Sequence, residues 1–143
     1  MATTLQDVNT TCQAATPAKS RPTVLVFDSG VGGLSVYDEI RQLLPDLHYL
    51  YVFDNVAFPY GEKSEAFIVE RLTQVVAAVQ QQYPLALAVI ACNTASTVSL
   101  PALRDAFDFP VVGVVPAIKP AARLTTNGVV GLLATRGTVK RPY

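Results

Sequence analysis

Histidine, cysteine and surplus charge are what this chain has least of. His48 is the single histidine, and Cys12 and Cys92 are the two cysteines among 143 residues. The cysteines lie far apart in unlike settings and no His/Cys spacing suits a metal ion, so neither a disulfide framework nor a zinc site is expected. Eleven Lys and Arg balance eleven Asp and Glu. No basic run stands out, which leaves nucleic acid and an anionic membrane surface without an electrostatic footprint. No apolar run approaches a bilayer span, and the first residues lack the basic head and apolar stretch of a secretory signal. The expected compartment is therefore cytoplasmic and reducing, and the expected partner is a small molecule. Lysine is also missing from the strand-end motifs described below, which disfavours a pyridoxal Schiff base.

Half of the residues are hydrophobic, enough for one globular domain with a real core. The most informative stretch is Leu85 to Ser99, an unbroken apolar segment ending in Cys92 and then Asn93-Thr94-Ala95-Ser96. A strand without polar alternation belongs to a parallel sheet covered on both faces, and the residues after Cys92 are good helix-start chemistry. Free N–H groups and the dipole at a helix start favour an anion, so a thiol placed there is biased toward thiolate. A buried, inert cysteine is the competing reading. Position favours the functional one, because ligands in open parallel sheets collect at the carboxyl ends of strands.

The other elements are read in the same way. Residues 1–21 show no sustained period and are expected to be a flexible extension, with Cys12 inside it. A domain over 22–143 begins with strand Thr23 to Phe27 and the turn Asp28-Ser29-Gly30-Val31-Gly32-Gly33. A helix follows with Leu34, Tyr37, Ile40, Leu43 and Leu44 on one face. Strand two is Tyr49 to Phe53, ending in Asp54; His48 precedes it and so lies away from Cys92. Ser64 is expected to cap a long helix to Gln82 with Ile68, Leu72, Val75, Val76 and Val79 on its stripe. Pro101 is expected to split the helical region after Cys92. Strand four is placed at Val111 to Val115, a short helix ends at Leu124, and strand five is placed at Val129 to Ala134. The alternation predicts an α/β fold, a mostly parallel sheet with flanking helices and right-handed crossovers. The fifth unit lacks its covering helix before Tyr143, so the chain is expected to be a truncated part of a larger protein.

Each motif has a plainer alternative. Gly30-x-Gly32-x-x-Ser35 resembles a dinucleotide fingerprint, but Ser stands at its third position and Asp28 would repel a pyrophosphate. Asp28 can bind an ammonium group or move a proton beside Cys92, or it can simply cap the next helix. Phe58-Pro59-Tyr60-Gly61 suits a loop over a pocket or a bare turn. Thr135-Arg136-Gly137-Thr138 can offer hydroxyls and N–H groups to a carboxylate, or can merely start a helix.

Taken together, Asp28 to Leu34, Pro59-Tyr60-Gly61, Ala91 to Ser96 and Thr135 to Thr138 resemble, in order, four motifs of the cofactor-independent aspartate/glutamate racemase family. The resemblance runs from Pro22 to Tyr143, and the N-terminal extension looks like that of enterobacterial members. It implies one domain of a two-domain racemase fold and interconversion of L- and D-glutamate without a cofactor, supplying D-glutamate for peptidoglycan. Two cysteines would act on opposite faces of the α-carbon. Cys92 matches the first and Asp28 the acid beside it. Ser29, Tyr60, Gly61, Asn93 and Thr94 match substrate-holding positions, with Thr135 and Thr138 as a further carboxylate-side loop. Family chains are about twice as long and carry the second cysteine in a Gly-Cys-Thr-His motif on a second domain, which this sequence does not contain. The alternatives are an inactive ligand-binding or regulatory fragment, and a related aspartate racemase. Oligomeric state does not follow from these motifs.

Overall fold

The computed structural model describes residues 21–140, so the expected extension over 1–21, Cys12 included, falls almost wholly outside the described residues. Four strands form one parallel sheet: β1 (Thr23–Asp28), β2 (His48–Phe53), β3 (Leu85–Ile90) and β4 (Val111–Gly113), in the order β2-β1-β3-β4. Every residue of β1 is buried, as befits one of the two strands with neighbours on both edges. The helices are α1 (Leu34–Leu43), α2 (Glu65–Gln82), α3 (Asn93–Ala106), α4 (Ile118–Leu124) and a short α5 (Arg136–Val139). The α/β class and the parallel sheet expected from the sequence are both present.

Period-two alternation divides the sheet into two packed faces. Leu25, Phe27, Ala88 and Ile90 pack with Ile68, Leu72 and Val76 of α2 and Leu103 of α3. Burying each such aliphatic side chain contributes about 1.5–3 kcal/mol. Val24, Val26, Val89 and Ala91 point the other way, against Val36, Tyr37 and Ile40 of α1 and Tyr49 and Tyr51 of β2. Ser64 caps α2 as expected, accepting from the Phe67 N–H at 3.2 Å.

Four expectations are corrected. The α1 face turns so that Val36, Tyr37 and Ile40 meet the sheet while Leu34, Leu43 and Leu44 are exposed, because Gly33 brings the helix start hard against β1 and β3. Pro101 does not split α3, which runs unbroken through it. Proline costs a helix interior about 3 kcal/mol. The fully buried Leu103 and the Arg104 guanidinium, bonded to the Val111 carbonyl at 3.1 and 3.2 Å, anchor the turn beyond it. The paired strand ends at Gly113, and the chain leaves the ladder after a last bond from the Val114 N–H, shared between the Ile90 carbonyl at 3.2 Å and Ser96 Oγ at 3.1 Å. Val129 to Ala134 forms no strand. Strand propensity is realised only through pairing and burial, and this segment joins no neighbour in the ladder and leaves Val129, Val130, Leu132 and Leu133 exposed.

The order β2-β1-β3-β4 places the topological switch between β1 and β3. Chains leave these adjacent carboxyl ends in opposite directions, which opens a crevice there. Asp28 closes β1, and Cys92 follows two residues beyond the end of β3. The two are joined at that edge by the Ala91 N–H bonding the Phe27 carbonyl at 2.7 Å.

Candidate active site

Cys92 is the N-cap residue of α3, with extended backbone and its carbonyl accepting from the Ser96 N–H at 2.9 Å. Its side chain makes no cap hydrogen bond, so the sulfur is left to other partners. A helix start also leaves its first N–H groups without intrahelical acceptors. The thiol is buried, and Ser29 Oγ, arriving from the end of β1, lies 3.4 Å from it. This close approach follows from the β1/β3 pairing, which carries both strand ends to the same edge.

Asp28 is buried and both of its carboxylate oxygens are engaged by its own turn. Oδ1 accepts from the Ser29 N–H at 2.7 Å and Oδ2 from the Gly33 N–H at 2.8 Å. The N-cap of α1 is Gly33, which carries no side-chain cap bond, so Asp28 is not that helix's cap and its carboxylate takes a turn-bracing role instead. This role does not remove Asp28 from the cleft, which the same carboxylate lines, and each oxygen retains a further lone pair. Gly33 is required here: a Cβ at that position would stand 2.9 Å from both Ala91 Cβ and Asp28 Cβ.

A cleft of about 540 Å³ opens over these groups, lined among others by Asp28, Cys92, Asn93, Thr94, Thr135 and Thr138. Six of the nine sequence-selected residues thus share one cavity. On its far side the threonines form a hydroxyl chain. Thr94 Oγ1 meets Thr135 Oγ1 at 3.1 Å, and Thr135 Oγ1 donates to Thr138 Oγ1 at 3.0 Å. Thr135 also caps α5, accepting from the Thr138 N–H at 3.4 Å, so the helix-start reading of this motif is realised while Thr135 and Thr138 line the cleft.

The remaining three residues lie elsewhere. Ser29 sits beneath the cleft against the sulfur. Gly61 lines an adjoining hollow of about 680 Å³ that shares Thr135 with the cleft. Tyr60 is turned into the core with 1% of its surface exposed, its hydroxyl donating to Asp54 Oδ2 at 3.0 Å. The aromatic hydroxyl of this loop is thus spent inside the protein, and Phe58 is the exposed ring. Burial, then the hydrogen bond to Asp54 and its charge, push the Tyr60 phenol well above its ordinary range.

Two supports went unread in the sequence. Arg71 of α2 forks onto Asp54 through Nε at 2.7 Å and Nη2 at 2.8 Å. That hydrogen-bonded guanidinium, against the opposing cost of burial, holds the Asp54 carboxyl below the usual carboxylate range. An acid closing one strand and an arginine seventeen residues on carry no local motif that pairs them. Tyr51 donates its hydroxyl to the Gly30 carbonyl at 3.2 Å and so pins the glycine turn. Its phenol is raised by burial first and by the nearby charges of Asp28 and Cys92 second. Among the described residues no three His, Cys, Asp or Glu side chains converge to hold a metal ion, and no helix is long and apolar enough to cross a membrane.

Residues 24–143 match the model of the Asp/Glu/Hydantoin racemase family. Glutamate racemases of Escherichia coli K12 and Shigella flexneri are each 84% identical to this chain over all 143 residues, which cover 50% of those proteins. The chain thus spans about half the length of the curated relatives it matches. Among solved structures, E. coli glutamate racemase, in complex with L-glutamate and the activator UDP-MurNAc-ala, superposes with a TM-score of 0.82 at 88% identity over 85% of this chain and 46% of that one. The Thermus thermophilus enzyme in complex with beta-chloro-D-alanine superposes at 0.72 with 40% identity, over 85% and 46% of the two chains. The Francisella tularensis enzyme in complex with D-glutamate gives 0.68 at 32% identity, over 84% and 44%. A thiol at a helix start, an acid one strand away and a sequence match over nearly the whole described chain converge, and the chain belongs to the Asp/Glu/Hydantoin racemase family.

Proposed function

We propose that this chain supplies one face of a glutamate racemase site, in which the Cys92 thiolate exchanges the α-proton of glutamate without a cofactor. The observation that carries this reading is the seating of Cys92: a sulfur at the start of α3, 3.4 Å from Ser29 Oγ, in the cleft that Asp28 and the Thr94, Thr135 and Thr138 hydroxyls also line. A thiolate removes the α-proton while hydroxyls and helix-start N–H groups take up the charge that develops on the carboxylate. Asp28, fixed by two backbone N–H groups, accepts from the substrate ammonium, Asn93 adds to the polar lining, and the main chain at Tyr60 and Gly61 approaches from the adjoining hollow. The substrate's place is supported by the relatives, whose structures are complexes with L-glutamate and with D-glutamate.

Inversion requires a proton on the opposite face. In this proposal the second base is a cysteine from the half of the longer relatives that this chain does not match, and the product serves peptidoglycan synthesis. A site with one base exchanges the α-proton of one enantiomer and does not invert it. The test follows α-deuterium incorporation into L- and D-glutamate separately in D₂O, with wild-type chain and with Cys92→Ala. Incorporation into one enantiomer that disappears in Cys92→Ala is the expected result. Exchange that survives in Cys92→Ala would assign the base elsewhere and overturn the reading.

A further inference from the structure

We propose that Asp54 and Arg71 are positioning residues whose ion pair, acting through Tyr60 and Gly61, sets the placement of Thr135 and hence of the hydroxyl chain that lines the cleft with Cys92. Neither residue touches the cleft. Asp54, one residue past β2, has a side chain only 3% exposed, and four hydrogen bonds converge on its carboxylate. Arg71 gives two, the Tyr60 hydroxyl one at 3.0 Å, and the Ala57 N–H one at 3.4 Å. The loop between β2 and α2 is thereby tied to α2 at one end and to the core at the other, where the Tyr60 ring lies 6.2 Å from Phe27 of the central strand.

The contact that transmits this placement is the next residue. A Cβ on Gly61 would stand 2.8 Å from Thr135 Cγ2 and 3.0 Å from Thr135 Cβ, so the main chain of the 3₁₀ turn Tyr60–Glu62 lies flush against Thr135. Thr135 is held from the other side by Thr94 Oγ1 at 3.1 Å, and passes its own hydroxyl to Thr138. A shift of Tyr60 passes to the adjoining Gly61 and so to the contact that Gly61 makes with Thr135. Chemistry favours a geometric role for the pair as well. Burying an ion pair is close to neutral for stability against an apolar substitute, whereas a guanidinium fork on a carboxylate fixes distance and angle together.

The functional meaning of the hydroxyl chain rests on the racemase reading above, but the coupling itself is measurable without ligand. The experiment records threonine methyl NMR spectra of the folded chain, wild type against Arg71→Met, Arg71→Lys and Tyr60→Phe. The expected result is displacement or broadening of the Thr94, Thr135 and Thr138 signals in all three, with Thr23, at the opposite end of β1, unmoved. Arg71→Lys keeps the charge and loses the fork, so it should resemble Arg71→Met. A purely structural role lowers stability and leaves these signals in place in the folded molecules. Unmoved Thr135 and Thr138 signals therefore overturn the proposal. If Arg71→Met does not fold, Tyr60→Phe, which deletes one oxygen and keeps the ring, decides by the same criterion. Titration with L-glutamate is the separate arm. Binding weakened by ~5–10-fold in Tyr60→Phe is expected, and a wild-type chain that takes up no glutamate counts against the racemase reading while the ligand-free spectra still judge the coupling.

Discussion

Ser29 Oγ lies 3.4 Å from the sulfur of Cys92, across a separation of 63 residues in sequence. The contact is made by the ends of two neighbouring parallel strands, and both side chains are buried. A hydroxyl in this position donates to a thiolate better than to a thiol, and hydrogen bonds to charged groups are worth about 1.5–3 kcal/mol. Ser29→Ala should therefore slow alkylation of Cys92 by iodoacetamide at neutral pH by roughly three- to tenfold, because the thiolate that loses the bond is scarcer but also more nucleophilic. Alkylation as fast as in the wild type would show that the hydroxyl does not support the thiolate.

Gly33 makes the second prediction. A methyl group there would sit 2.9 Å from Ala91 Cβ and Asp28 Cβ and 3.1 Å from the Tyr51 hydroxyl, so α1 must move outward to admit it. Overpacking of this kind costs about 1–3 kcal/mol. The Gly33 N–H would also be pulled from Asp28 Oδ2. Urea unfolding of Gly33→Ala should show that loss with little change in slope. A midpoint equal to that of the wild type would mean that the turn yields freely.

These contacts separate what the sequence makes legible from what it hides. Apolar runs ending in Asp28 and Cys92 announce where parallel strands stop, and the switch-point rule then brings the two together. Thr94 is accessible in the same way, in a polar cluster after a strand, whereas Thr135 and Thr138 are reached through an expected strand that does not form. Side-chain direction is not accessible. Tyr60 reads as a loop hydroxyl over a pocket, yet it points at Asp54 because Arg71, nearly two turns into α2, makes that carboxylate a strong buried acceptor. The α1 face misleads in part for a related reason. Spacing places Leu34 and Leu43 beside Tyr37 and Ile40, and while Tyr37 and Ile40 do meet the sheet, the close fit at Gly33 brings Val36 in with them and leaves the leucines exposed. Val129 to Ala134 has strand composition, but a strand exists only where a partner edge receives it.

The Asp54–Arg71 pair makes stability depend on pH. Its folded-state carboxyl lies below the ordinary carboxylate range because Arg71 bonds the ionised form. A group depressed in this way contributes stability that is fully present above its unfolded value of about 3.9 and lost as pH falls through the folded value. The gap in stability between wild type and Asp54→Asn should thus be constant in the neutral range and close in acid. Tyr60 acts with the opposite sign. Its phenol is raised in the fold, so its contribution is present below the unfolded value of about 10 and fades in alkali. Urea titrations across pH give both limbs. A gap between wild type and Asp54→Asn that persists unchanged to strong acid would refute the ion-pair assignment.

The edge of the sheet at β4 makes the last prediction. β4 is three residues long, pairs with β3 on one side, and joins no strand on the other within the described sheet. Val112 on that strand and Val115 just past it are about half exposed, and Val129 and Leu133 farther along are more exposed still. Free ladder groups beside apolar side chains template pairing with another chain, and contiguous apolar patches seek cover. The isolated chain should therefore associate as its concentration rises. A charge on the edge opposes such pairing, because each copy must bring its own charge into the new contact. Val112→Lys should shift sedimentation toward the monomer, and Leu133→Asp should do so independently if the apolar patch contributes as well as the edge. Secondary structure by circular dichroism should be the same in all three, since neither side chain belongs to the buried core. A wild-type chain that sediments as a monomer at every accessible concentration would show that this edge is protected in solution.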